Sequence, residues 1–425
     1  MSGNFSSLVN EEGSRVSRRL FADEAVFEAE LEQVFGKSWL FLGHESQVPR
    51  PGDFFRTRMG DESIILIRGN DGEVRAFLNS CRHRGLPICR QDKGNAKAFV
   101  CPYHAWTYAS DGSLRGVPRQ SQSYPDGLDK SKLGLVPVAH MANHRGLIFG
   151  SFDPDIIPLE DYLGDMAWYL DCHLARAPGG TEVLGLQRWE IDCNWKMPAE
   201  NQIGDVCHGP FSHVSLFEAA GGIDQPAVTS VVDNGVNVAV PNGHGCVVAG
   251  MNEPERELGL GDPSASEAIS GHFDKYKAYR VEHLGALREH LDLPTATVFP
   301  NFSILGRNST IRVAHPISAT RTEMWSWILV DKAADPEAKE AFRKQYQVTF
   351  GPGGMLESDD GENWSGVMYG ARGSQSRKQD YVYEMGMGSD GPHAELPGSV
   401  GHTFSEHTQR GYYRRWRELM SEAVI

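Results

Sequence analysis

The sequence predicts an α+β protein of two domains: a small all-β module, then a larger domain in which helices cover an antiparallel sheet. Three observations carry that expectation. The chain is 425 residues long, more than one compact core usually holds, so two domains are expected. From residue 53 to about 155 it reads as short β-rich runs, ESIILIRG, EVRAFLNSC, AFVCPYHAW and GLIFGSF, parted by turn signals such as GNDGE and SDGS. Beyond residue 156 helical and strand patterns mix, the texture of an antiparallel sheet with helices packed on it.

In chain order, ADEAVFEAELEQVFGKSW (22–39) sets Val26, Phe27, Leu31, Val34 and Phe35 at helical spacing. The β-rich runs follow. LEDYLGDMAWYLDCHL (159–174) reads as one helix, and VVDNGVNVAV, NFSILG and TEMWSWILV read as strands. Asp335 and Pro336 form a helix start, with an N-cap and a proline in the first turn. HTFSEHTQRGYYRRWRELM closes the chain as a helix with a basic, aromatic face.

Composition narrows the class. With 40% hydrophobic and 23% charged residues the chain is a globular type. No run of about 18 apolar residues suggests a membrane span. The start, MSGNFSSLVNEEGS, has neither a basic n-region nor an apolar h-region, so no secretory signal is expected. Seven scattered cysteines are not a disulfide framework, which fits a reducing cytoplasm. The net charge of −15 argues against a nucleic-acid binder, because a phosphate backbone would repel it.

Two stretches inside the β-rich module carry chemistry. CRHRG offers Cys81 and His83, and CPYHAW offers Cys101 and His104. Three readings compete: two ordinary turns, a structural zinc site, or a [2Fe–2S] cluster. Zinc fingers group like ligands, as C-x₂₋₄-C and H-x₃₋₅-H. Here each half gives one thiol and one imidazole. That suits a cluster whose one iron takes two thiolates and the other two imidazoles.

The larger domain offers a second constellation. In NWKMPAENQIGDVCHGPFSH, His208 and His213 are five apart, which on an unbroken helix turns them about 140° from each other. They can share an ion only if the helix ends or bulges between them, and Gly209 and Pro210 stand there to end it. Asp205, three before His208, belongs on the same face. The stretch GPGGMLESDDGENW supplies Glu357, Asp359, Asp360 and Glu362, which also read as a solvated acidic loop. Two histidines and one carboxylate would form the facial triad of non-haem Fe(II) oxygenases.

C-x-H with C-x-x-H in a β-rich setting resembles the Rieske motif. Leu86 and Tyr103 stand where respiratory Rieske proteins carry a bridging disulfide, so the resemblance is to the oxygenase branch, with a potential at the low end of about −150 to +300 mV. Together the motifs resemble the large (α) subunits of Rieske non-haem iron aromatic-ring-hydroxylating dioxygenases, the naphthalene and biphenyl type. The family pattern F-G-x-x-G-x-x-E-x-D-D matches Phe350 through Asp360, and the resemblance implies His208, His213 and Asp360 as iron ligands; the residues alone do not separate Asp360 from Asp359. It implies a Rieske domain at 39–156, a helix-grip (START-like) catalytic domain at 157–425, and a helical segment at 1–38 packed with the latter. The cofactors it implies are one [2Fe–2S] cluster on Cys81, His83, Cys101 and His104, one mononuclear Fe(II), and O₂ as co-substrate.

The family also implies that Asp205 bridges His208 to His104 of a neighbouring subunit, and that both atoms of O₂ add to an aromatic ring, giving a cis-dihydrodiol. Asn201 is expected near the iron, and Asn201, Gln202, Val206, Gly209, Phe350 and Leu356 around the arene. Gln202 replaces a frequent Phe and offers a hydrogen bond to a polar substituent, or faces solvent; Cys207 replaces a usual Tyr. Expected partners are a small β subunit in an α3β3 assembly, a ferredoxin and an NAD(P)H-dependent reductase. Arg82, Arg84, Arg90 and Lys93 could receive an acidic ferredoxin. GMGSDG at 386–391 is a turn-rich loop rather than a dinucleotide site, because prolines 392 and 397 interrupt any helix after it. The alternatives are a Rieske monooxygenase (hydroxylase or demethylase), a pure electron-transfer protein and a zinc-stabilised binding module.

Overall fold

The computed structural model describes residues 5–219, 235–251, 266–306 and 309–421. The chain divides into two compact units, Gly36–Ile156 and Met1–Phe35 with Ile157–Ile425. Among the described residues no helix is long and apolar enough to cross a membrane.

The unit Gly36–Ile156 is built from three small antiparallel sheets. One orders Val74–Leu78, Glu62–Arg68, Asp53–Met59 and Lys93–Asn95; the second joins Ala98–Val100, Thr107–Ala109 and Leu114–Gly116; the third joins His140–His144, Leu147–Ser151 and Leu40–His44. In Glu62–Arg68 four residues in a row, Ile64 to Ile67, are buried. The strand is covered on both faces, so its sequence reads as a continuous apolar run rather than an alternation. Phe54, Ile65, Phe77, Phe99, Trp106 and Tyr108 form a core that also takes in Cys81 and Cys101.

The second unit is organised by a nine-stranded antiparallel sheet. Its order is Thr181–Ile191, Arg321–Asp331, Thr310–Ser318, Phe302–Leu305, Ala296–Val298, His244–Val248, Val236–Val240, Ser399–His402 and Gly391–Pro392. The strand expected at 231–240 is seen as Val236–Val240, and residues 231–234 of that expectation lie outside the described residues. Helices Lys196–Gly204 and His407–Ser421 lie on the middle of the sheet. Gly245 allows this: a Cβ there would sit 2.9 Å from Ile203 of one helix and 3.0 Å from Thr408 of the other. Asp335 caps helix Pro336–Val348, accepting from Ala338 N at 2.9 Å.

The N-terminal segment joins this unit through a buried ion pair. Lys196 Nζ lies 2.6 Å from Glu30 Oε1, both side chains fully buried. Trp195 and Trp416 also donate their indole N–H groups to Glu30, at 2.9 and 2.7 Å. Four groups from three segments thus satisfy one another, as a buried charge requires. The terminal helix turns Tyr412, Tyr413 and Trp416 into this core.

Three helical expectations are modified. The helix expected at 22–39 is Glu24–Glu30 followed by a π-helical turn, Leu31–Phe35. The one expected at 159–174 is two, Leu159–Leu163 and Asp165–Leu174, broken at Gly164, whose φ of 48° lies in the left-handed region. Helix Lys196–Gly204 ends before Asp205, so Asp205 and His208 do not share a helix face. Gly209 and Pro210 open a new short turn, Gly209–Ser212, rather than end a helix, because a proline in a first turn needs no N–H partner.

Candidate metal centres

The two Cys/His stretches fold into loops of the same form. Each cysteine carbonyl accepts from the N–H four residues on: Gly85 N to Cys81 O at 2.8 Å, Ala105 N to Cys101 O at 2.9 Å. Each cysteine N–H donates to the carbonyl five residues on, Leu86 O at 3.0 Å and Trp106 O at 2.8 Å. The closing residues, Gly85 and Ala105, are both left-handed, with φ of 74° and 54°. Both thiols are buried and no disulfide is present among the seven cysteines.

The histidines of these loops face one another with ring centroids 4.6 Å apart. Trp106 stacks on His83 at 5.0 Å, nearly parallel, and Tyr103 lies against His104 at 3.8 Å. Nδ1 of His83 and Nδ1 of His104 are sealed from solvent with no hydrogen-bond partner. An orphaned buried nitrogen costs free energy unless something binds it. Two buried thiols and two unpartnered imidazole nitrogens are the donor set a Rieske-type [2Fe–2S] cluster needs. Tyr108, fully buried, accepts from Arg82 N at 3.0 Å, and its hydroxyl lies 3.3 Å from Cys81 Sγ.

In the catalytic unit, the residues on either side of the Gly209–Ser212 turn come together. His208 Nε2 and His213 Nε2 are 3.2 Å apart, and Asp360 Oδ1 lies 3.2 Å from the first and 3.5 Å from the second. Ligand atoms at roughly right angles on bonds near 2 Å are separated by about 3 Å, so the three fit one ion. Asp360 comes from helix Met355–Arg372, 152 residues away in sequence. Asn363 Nδ2 of that helix donates to Ser212 Oγ at 3.0 Å and ties the two segments. Of the two readings of this acidic stretch, a metal carboxylate or a solvated loop, the second does not hold: the stretch is helical, with Glu357 and Asp360 buried. Gly354 starts that helix where a Cβ would meet the Thr349 carbonyl oxygen at 2.1 Å.

The far side of each imidazole has a carboxylate. Asp359 Oδ2 lies 3.1 Å from His213 Nδ1, and Asp205 Oδ1 lies 3.5 Å from His208 Nδ1, long for a hydrogen bond but close for a charge. Burial works to lower the His208 imidazole, yet Asp205 and Asp360 outweigh it and push it up to about 10. The donor set is anionic and suited to a cation. Burial opposes the ionised form of Asp205, but His208 and Cys207 hold it below the usual carboxylate range. Cys207 Sγ donates to Asp205 Oδ1 at 3.1 Å.

The remaining expected site residues lie on the same segments. Asn201 and Gln202 are on helix Lys196–Gly204; Asn201 is half-buried, whereas Gln202 is buried with its Nε2 lacking a partner. Its side chain does not face solvent. Val206, Gly209 and Phe350 are half-buried and Leu356 is buried. GMGSDG at 386–391 opens no helix, as read from the sequence: 386–388 are turn, and Gly391 begins the edge strand Gly391–Pro392. Sequence reasoning missed Glu200, whose carboxylate accepts from Tyr383 OH at 2.9 Å and from Tyr413 OH, and which burial pushes up to about 8. No spacing rule finds it, because its partners come from the end of the chain.

Residues 38–137 match the Rieske [2Fe-2S] domain, and residues 159–422 match the ring hydroxylating alpha subunit (catalytic domain). The chain belongs to the ring-hydroxylating alpha subunits. It is 38% identical to the biphenyl 2,3-dioxygenase subunit alpha of Rhodococcus jostii (strain RHA1), over 98% of this chain and 91% of that one. It is 36% identical to a benzene 1,2-dioxygenase subunit alpha of Pseudomonas putida, over 98% and 93%. Naphthalene 1,2-dioxygenase from Rhodococcus sp., solved with indole bound, superposes with a TM-score of 0.84 at 34% identity, covering 96% of this chain and 94% of that one. A quaternary ammonium Rieske monooxygenase shares the fold alone, at 19% identity and a TM-score of 0.70. The ring-hydroxylating α subunit is thus an oxidoreductase of the Rieske dioxygenase class, with a [2Fe–2S] cluster, a mononuclear iron and O₂ as its chemistry.

Proposed function

We propose that this α subunit performs the oxygenation step on a small aromatic hydrocarbon, with Cys81, His83, Cys101 and His104 holding the cluster and His208, His213 and Asp360 holding the iron. The observation that carries the reading is the convergence of two imidazole nitrogens and one buried carboxylate oxygen within 3.5 Å, with carboxylates behind both rings. With both metal centres bound, the chain supplies the redox chemistry that adds both atoms of O₂ to one face of an arene, giving a cis-dihydrodiol. The protein's own residues set the stage. Asp359 fixes the ring orientation and tautomer of His213, and Asp205 does so for His208. Asp205, ionised and partly exposed, also offers the short path by which an electron arriving at His104 of a neighbouring copy reaches His208.

Around the substrate, Asn201, Gln202, Val206, Gly209, Phe350 and Leu356 form the reading's pocket. Gln202 turns a buried, unpartnered amide N–H into a donor for an arene that bears an oxygen substituent. The exposed cations Arg82, Arg84, Arg90 and Lys93 surround the first cluster loop and favour an acidic ferredoxin. A reductase drawing on NAD(P)H, a small β subunit in an α3β3 assembly and a cytoplasmic setting complete the proposal. Residues 39–156 then act as the electron port, 157–425 as the oxygenase, and 1–38 as a brace for the latter.

The test is a reconstituted chain with a biphenyl-type reductase and ferredoxin, given biphenyl, naphthalene and benzene under ¹⁸O₂. The expected product is a cis-dihydrodiol with both oxygens labelled. A product with a single labelled oxygen would overturn it.

A further inference from the structure

One buried ion pair near the triad has no part in the reading above. Glu357 and Arg312 are 3% and 0% exposed. Glu357 Oε2 accepts from Arg312 Nη2 at 2.5 Å, and Glu357 Oε1 accepts from Trp189 Nε1 at 3.0 Å. Arg312 belongs to strand Thr310–Ser318 and Trp189 to strand Thr181–Ile191. Both strands pair with Arg321–Asp331, one on each side: Arg312 is opposite Ser326, and Trp189 is opposite Met324. Glu357 thus fastens the first turn of helix Met355–Arg372 to two fixed points of the sheet.

We propose that Glu357, Arg312 and Trp189 act as a positioning strut that sets the register of this helix, and with it the hold of Asp360 on the iron. The inference rests on the reading of Asp360 as a ligand. Glu357 precedes Asp360 by three residues, so their side chains lie one above the other on nearly the same helix face. A slip of one residue would move Asp360 by about 1.5 Å and turn it by about 100°. Asp360 Oδ1 reaches both histidine Nε2 atoms within 3.5 Å, a fit that no such slip would keep.

Stability alone does not account for the pair. A buried ion pair is often replaceable by apolar side chains with no loss of stability. This one is also imperfectly satisfied, since Arg312 Nε and Nη1 are buried without partners. The guanidinium lies instead near the rings of Trp189 and Phe350, 5.7 and 5.4 Å from their centroids. Such an arrangement costs folding energy and returns a fixed geometry, which is what a metal ligand at the start of a helix needs.

The experiment measures Fe(II) affinity by competition with a chelator, in the α subunit carrying its cluster. It adds the EPR spectrum of the nitrosyl complex of the mononuclear site, with the cluster absorbance as a control for folding. Glu357→Gln keeps shape and removes charge; it is expected to weaken Fe(II) binding about 10- to 100-fold and to alter the nitrosyl spectrum, with the cluster spectrum unchanged. Trp189→Phe, which removes one hydrogen bond, is expected to weaken binding several-fold, and it decides the matter if Glu357→Gln does not fold. Affinity within about twofold of wild type in the folded variants, with an unchanged nitrosyl spectrum, would overturn the strut. Asp360→Ala in the same assay separates the two ideas. Iron retained there overturns the ligand assignment; iron lost there but held normally in the strut variants overturns the strut alone.

Discussion

The two metal centres are supported in opposite ways. In the cluster loops the protein buries the thiols and stacks aromatic rings on the imidazoles, yet leaves both Nδ1 atoms bare. At the triad each histidine has a carboxylate beyond its distal nitrogen, and the buried Asp360 carboxylate has its own helix pinned to the sheet. The cluster loops are local turns of about six residues that repeat one backbone pattern. The triad is a long-range object, closed between residues 152 apart. A local turn forms with its hairpin; a long-range site exists only when the whole sheet and its helices are in register. The triad should therefore be the more fragile of the two.

The sharpest break in that comparison is Asp360→Ala. On the proposed reading it removes a ligand, so iron affinity should fall by more than the roughly 100-fold that loss of a supporting partner costs, while the cluster spectrum persists. Asp359→Ala, which strips only the partner of His213 Nδ1, should cost about 10- to 100-fold. Metal analysis of the purified variants checks both. A larger loss in Asp359→Ala would exchange the two roles. Next in size is Asp205→Ala. It removes the carboxylate behind His208 as well as the path between the centres, so it should weaken iron binding about 10- to 100-fold, keep the cluster spectrum, and still stop steady-state turnover once Fe(II) is restored. Normal turnover in that variant would end its bridging role.

How far the sequence could be read follows the same division. Cys81, His83, Cys101 and His104 were legible because each pair sits in one short turn, where spacing is geometry. The left-handed conformation of Ala105 was not, since nothing in an alanine announces φ above zero. His208 and His213 were legible as a pair, but for the wrong local reason: Gly209 and Pro210 begin a turn there rather than end a helix. Asp360 was reached only through a family pattern, because four carboxylates within six residues offer no local ground for choice. Glu357 is in that same pattern, and only the sheet shows what it holds. The Glu30–Lys196 pair was invisible for the same reason, as its partners meet only in the folded unit.

Acid should also separate the units. His244 in the catalytic sheet is fully buried, donating from Nε2 to Tyr162 O at 2.8 Å and accepting from Phe299 N at 3.0 Å. Burial holds its imidazole down to about 4, and that of His173 down to about 3. In the unfolded chain both titrate near 6.5. Between these values the unfolded chain binds more protons, so stability rises with pH there and is lost as pH falls from about 6.5 through 4. For His244 alone the full loss is about 3 kcal/mol. Glu200, which burial pushes up to about 8, acts in the opposite sense over the same range, so the measurement is a difference: from pH 7 to 5 the Tm of the wild type should fall relative to that of His244→Asn. Parallel Tm profiles for the two proteins would count against it.

The smallest effect tests the cluster side. Arg82 N already donates to the Tyr108 hydroxyl, so the tyrosine's own proton is free to point at Cys81 Sγ, 3.3 Å away. A donor to a ligand thiolate stabilises the reduced, more negative cluster relative to the oxidised one. Tyr108→Phe should therefore lower the reduction potential. A hydrogen bond worth about 1 kcal/mol corresponds to roughly 40 mV for one electron, readable by potentiometric titration of the cluster absorbance. Iron at the triad should be untouched by this change, because His208, His213 and Asp360 are set by the turn and the helix of their own unit. A drop in potential with full iron occupancy keeps the two centres separable. An unchanged potential would mean the hydroxyl proton points elsewhere and Cys81 is held by packing alone.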